Sequence, residues 1–204
     1  MDAGLLSEQG RCGHEEESRE PTHREPGLSL TVKHATRIST MTDTSLTPAR
    51  LWKTMNPTQR LAAVQAFWRE EQAVDEQMQA VMIIAQQKKF RPKSVLALDV
   101  ERKARHLASI VNLPETVAAR ALIAYHLAEQ RPMMGAFLDA LGIEHENGLI
   151  KEDSPAPDAA KLAPAAAEIA RQYPAGDVTL YLNTLLCQDP ETWGGLRQVV
   201  KELP

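Results

Sequence analysis

From Thr47 onward the apolar residues fall at helical spacing, and one device recurs ahead of the runs: a capping or polar residue, then proline. Proline suits the first helical position because its missing N–H would find no partner there. Thr47-Pro48, Asn56-Pro57 and Asp189-Pro190 carry this device, and Leu113-Pro114 and Arg131-Pro132 carry it with weaker caps. Behind Pro57, Leu61, Val64, Phe67 and Trp68 share one face. Near 72–88, Val74, Met78, Val81, Met82 and Ala85 align, until Phe90-Arg91-Pro92 interrupts. Near 98–111 the aligned set is Val100, Ala104, Leu107, Ala108 and Val111. The run from Pro114 to Gln130 is apolar around nearly its whole circumference, which marks it as the innermost helix. From Pro132 a short helix aligns Met133, Met134, Phe137, Leu138 and Leu141, with Gly142 as its C-terminal cap.

A polar stretch over 144–157 separates off the last third. There Ala159, Leu162, Ala166, Ile169, Ala170 and Tyr173 make one face, with Pro164 starting or kinking the helix. Asp177 is read as the cap of a helix bearing Val178, Tyr181, Leu182, Leu185 and Leu186, and Asp189-Pro190 as the start of one bearing Trp193, Leu196, Val199 and Val200. Strand signals are thin. Ser94–Val100 and Gly148-Leu149-Ile150 are compatible with extended chain, and neither is read as a hairpin. The expected fold is all-α: a mostly antiparallel bundle of seven to eight helices behind a disordered N-terminal extension. The division is an extension over 1–46, a bundle core over 47–143, a linker over 144–157, and a helical subdomain over 158–204 packed on the core.

Residues 1–46 are polar, charged and rich in Pro and Gly, too poor in apolar surface to offset the entropy of ordering them. Within them Met41-Thr-Asp-Thr-Ser reads as a natural chain start, so residues 1–40 are expected to be absent from the native protein. Of the 204 residues, 43% are apolar and 25% charged, ordinary for a globular protein. The net charge of −4 does not favour non-specific binding to nucleic acid or acidic membranes. Two distant cysteines, Cys12 and Cys187, argue against a disulfide framework, and no run approaches the ~18 apolar residues of a membrane span. The expected location is cytoplasmic.

Three features could carry function. The first is an interaction surface: Met78, Met82, Met133 and Met134 supply adaptable side chains, and Trp193 precedes Gly194-Gly195, where another backbone could approach. The second is a helix-turn-helix outline over Leu107–Leu122, preceded by the cations Lys88, Lys89, Arg91, Lys93, Arg102, Lys103 and Arg105, which could contact phosphates. The proposed recognition helix offers mainly Glu115, Thr116, Arg120 and His126 on an otherwise apolar surface. The third is the loop Glu144-His145-Glu146, whose histidine between carboxylates suggests acid–base or metal chemistry, although the three or four ligands that zinc needs are not spaced for it. His106 and His126 are read as hydrogen-bonded structural residues, and Cys187 as a small apolar filler. The sequence carries no phosphate loop, nucleophile elbow or dinucleotide fingerprint. The leading expectation is therefore a helical module that binds a protein partner or itself, with no cofactor. Nucleic-acid binding through 88–105 and an enzyme at Glu144–Glu146 are the alternatives.

Overall fold

A computed structural model of the chain describes residues 46–203. The expected disordered extension, apart from Leu46, and its Met41 start lie outside the described residues. Ten helices and one small hairpin follow in order: α1 (Pro48–Thr54), α2 (Pro57–Arg69), α3 (Val74–Lys88), α4 (Pro92–Leu96), α5 (Val100–Ala108), α6 (Glu115–Glu129), α7 (Arg131–Leu141), β1 (His145–Glu146), β2 (Leu149–Ile150), α8 (Ala159–Gln172), α9 (Ala175–Gln188) and α10 (Leu196–Glu202). The fold is all-α, as expected. No helix among the described residues is long and apolar enough to cross a membrane.

The proline-led starts work as their chemistry requires. Thr47 Oγ1 accepts from the Arg50 amide, and Pro48 follows. Asn56 forms a full capping box: its side chain accepts from the Gln59 amide while the Gln59 side chain accepts from the Asn56 amide. Pro114 stands one residue ahead of α6, and Pro132 is the second residue of α7. Asp189-Pro190 differs from expectation. Asp189 Oδ1 accepts from the Glu191 and Thr192 amides, but this holds a turn, and α10 begins only at Leu196. Ser94–Val100 is not extended; α4 occupies its first three residues, a turn follows, and α5 begins at Val100. Asp177 does not cap α9 but lies in its first turn, where its carboxylate accepts from Gln59 Nε2 at 2.8 Å and from the Tyr125 hydroxyl at 3.3 Å. One side chain thus ties α2, α6 and α9.

Helix α6 packs against α1, α2, α3, α7 and α9, so the segment expected innermost is innermost. The apolar interior falls into two clusters. One is built on α1 to α6 around Trp52, Phe67, Ile84, Leu107 and Leu122. The other joins α7 to α8, α9 and α10 around Phe137, Leu138, Ile169, Leu182 and Leu196. The boundary between the two clusters falls between α6 and α7, near Gln130. Helix α7 lays its apolar face on α8, and the polar stretch between them carries the hairpin, which also packs on α7. A row of rings crosses the divide: edge-on from Tyr125 to His126 at 5.5 Å, His126 to Tyr181 at 5.4 Å and Tyr181 to Phe137 at 5.8 Å, then tilted from Phe137 to Trp193 at 6.1 Å.

The hairpin was not expected. His145 pairs with Ile150 and Glu146 with Leu149, antiparallel, around Asn147-Gly148. Both turn residues have positive φ, 50° and 82°, as a two-residue turn between such strands demands. Gly148 also comes so close to α7 that an added Cβ would lie 2.8 Å from Met134 Cβ and 3.1 Å from the Arg131 carbonyl oxygen. Gly148→Ala is accordingly expected to lower stability by about 1–3 kcal/mol through backbone strain and overlap together. Thermal unfolding of the variant beside wild type checks this, with Asn147→Gly as a near-neutral control.

Candidate functional site

Helix α3 has more apolar residues than one stripe can bury. Ala80, Val81, Ile84 and Ala85 point into the first cluster. Val74, Met78 and Met82, spaced i, i+4, i+8, stand at the solvent edge of that face, with 62%, 48% and 52% of their surfaces exposed. Asp75 and Gln86 flank them in solvent. Glu71, just before the helix, and Lys89, its left-handed C-cap, are exposed at its two ends. The result is an apolar strip with a carboxylate at one end and an ammonium at the other.

Of the five residues expected on an interaction surface, only Met78 and Met82 are there. Met133, Met134 and Trp193 are buried in the second cluster, so they are core rather than contact residues. The reason is coverage: α7 lies under α8, and the hairpin turn closes on Met134.

The cations of 88–105 are dispersed over the end of α3, over α4 and over α5. Lys88, Lys89, Arg91, Lys93 and Arg105 are exposed. Arg102 pairs with Asp99, the cap of α5, and Lys103 Nζ sits 5.6 Å from the Trp68 ring centre. The four polar residues of the supposed recognition helix all have partners within the chain, Glu115 and Thr116 at its surface. Glu115 accepts from the Ala49 amide at the start of α1, Thr116 donates to Gln79 of α3, Arg120 pairs with Glu70 at 2.7 Å, and His126 is buried against Thr184.

Glu144, His145 and Glu146 do not converge. Glu144 bonds Lys151 Nζ at 2.9 Å, and that hydrogen bond, with the lysine's charge, holds its carboxyl below the usual carboxylate range. Glu146 is exposed. His145 turns inward over Gly135, where an added Cβ would be 3.2 Å from its Cε1. Its Nδ1 accepts the Gly148 amide at 3.1 Å, so its Nε2 carries the proton and donates to Asp139 Oδ1 at 3.1 Å. With both ring nitrogens committed, the imidazole fastens hairpin to helix and has no lone pair free for proton transfer. The adjoining depression, about 410 Å³, is lined by these same groups. Among the described residues no three His, Cys, Asp or Glu side chains are placed to hold a metal ion.

The remaining residues of interest are structural. His106 is half-buried with its ring edge-on to Phe90 at 5.4 Å. Cys187 packs beside the first cluster, where burial, then the Glu115 charge, pushes its thiol up to about 11, the reverse of an activated thiolate. His126 is buried, bonded through Nε2 to Thr184 Oγ1 at 3.0 Å. Sequence reasoning missed Thr184, although a threonine inside an otherwise apolar helix signals a buried polar partner. No protein-family model, no curated protein and no solved structure matches this chain.

Proposed function

We propose that the domain is an interaction module and that the outer face of α3 is its docking surface, occupied by α3 of a second copy in antiparallel orientation. The observation that carries this is the exposed strip Val74-Met78-Met82, which adjoins the face that Ala80, Val81, Ile84 and Ala85 bury in the core. Charge placement supports the second copy and its direction. When two α3 helices run antiparallel with Met78 of one against Met82 of the other, Glu71 of each comes to the end where Lys89 of the other lies. A two-fold pair also gives each contact twice. Two helices of 15 residues cover less than the ~1,200 Å² of a standard interface, so association belongs in the micromolar range.

Met82→Glu places a carboxylate against apolar surface twice per dimer. It is expected to weaken association by at least about tenfold, or ~1.4 kcal/mol. Light scattering against concentration reads this. Glu71→Lys alone and Lys89→Glu alone should each weaken the dimer, and the two together should restore it. A wild-type chain that stays monomeric at every concentration, or a Met82→Glu variant that dimerises equally well, overturns the proposal.

A further inference from the structure

Peroxides oxidise a methionine thioether only where they can reach it, so exposure decides which methionine reacts. Among the described residues there are five, and the fold divides them sharply. Met55, Met133 and Met134 are buried in the two apolar clusters, whereas Met78 and Met82 stand about half exposed on α3. These two are one helical turn apart, so they make a single accessible patch. Cys187, the thiol that could compete, is half-buried beside the first cluster, and burial keeps it protonated, which makes it a poor nucleophile toward peroxide.

We propose that Met78 and Met82 form an oxidation site through which a peroxide opens the α3 pairing. The inference rests on that pairing and adds its regulation. A lone pair on the sulfur attacks one peroxide oxygen, and the S–O bond forms as the O–O bond breaks. The sulfur gives up two electrons, the proton of the transferred oxygen passes to the departing oxygen, and hydrogen peroxide leaves as water. The product carries a polar S=O acceptor in place of a soft apolar sulfur. In the antiparallel pair Met78 of one copy meets Met82 of the other, so the sulfoxides of both copies crowd the middle of the contact. Each must give up water against a facing strip of Val74, Met78 and Met82, which offers no side-chain donor. On the free chain the same sulfoxides stay in water, so oxidation acts on pairing and leaves the fold intact.

The test treats the full chain with hydrogen peroxide, removes the excess with catalase, and adds dithiothreitol to undo reversible thiol oxidation at Cys12 or Cys187. Peptide mass spectrometry is expected to find sulfoxide at Met78 and Met82 well before Met55, Met133 or Met134. Light scattering against concentration should then show pairing weakened at least about tenfold, with thermal unfolding unchanged. The two methionine sulfoxide reductases, one for each epimer, should restore it. In the Met78→Leu/Met82→Leu variant, peroxide should leave the dissociation constant where it stood before treatment. An untreated chain that never pairs overturns the α3 reading itself. An untreated dimer that pairs as tightly with both methionines oxidised overturns only the regulation. So does oxidation that reaches the buried methionines first, or a double variant whose pairing peroxide weakens as much as it does in wild type.

Discussion

Trp52→Ala is expected to destabilise the domain by about 3–5 kcal/mol. Trp52 is fully buried on a helix of only seven residues, and it anchors that helix to the first apolar cluster. Its indole N–H donates to the Ile110 carbonyl at 2.9 Å, which ties α1 to the end of the segment following α5. Truncation removes the largest of the fully buried side chains, leaves a cavity, and orphans a buried carbonyl. Domains of this size are stable by roughly 5–15 kcal/mol, so the loss is a large fraction of the total. Denaturant unfolding with an unchanged slope would confirm a pure stability loss. Trp52→Phe keeps most of the packing and should cost only about 1–2 kcal/mol, chiefly the hydrogen bond. A Trp52→Ala loss below that of Trp52→Phe contradicts this reading.

Acid should weaken the fold through His126. Burial alone lowers its basicity from 6.5 to about 4, with the rings of Tyr125 and Tyr181 edge-on to it and Thr184 as its hydrogen-bond partner. The unfolded chain therefore takes up this proton near pH 6.5, while the folded chain resists until about pH 4. Between those values the unfolded state holds more protons, so stability rises with pH there. The contribution is complete above pH 6.5 and is lost as pH falls toward 4, by roughly 3 kcal/mol in total. Exposed carboxylates held low by partners, such as Glu144 and Glu168, add a little loss at lower pH. The signature of His126 is the difference between wild type and His126→Phe in denaturant melts across this range. It should be a slope confined to the interval from 4 to 6.5, and parallel curves for the two proteins would contradict it.

Much of the architecture could be read from residue order because the signals are local. A cap and a proline define a helix start within four residues, as Asn56-Pro57-Thr58-Gln59 does. An all-round apolar run such as Val117–Ala128 has only one stable place, the centre. The hairpin was legible too, since Asn147-Gly148 is the two-residue turn signal, but two residues of strand on each side gave no alternation to accompany it. Coverage is another matter. Periodicity says that Met133, Met134 and Trp193 lie on apolar faces, as it does of Met78 and Met82, and cannot say which faces acquire a neighbour. That depends on α8 folding back onto α7 from beyond a polar stretch. The same holds for His126. Its helix marks it as buried, but Thr184, 58 residues later, decides which nitrogen keeps a proton.

Zero-length carboxylate–amine cross-linking of a mixture of ¹⁴N and ¹⁵N chains tests the α3 pairing most directly, by asking for a link between Glu71 and Lys89. Within one copy the 15 residues of α3 hold these side chains about 22 Å apart, so no such link can form inside a single chain. The expected result is a Glu71–Lys89 peptide pair with one light and one heavy partner. Mixed-isotope links that join other surfaces and never this pair, or none at any concentration, would contradict the pairing.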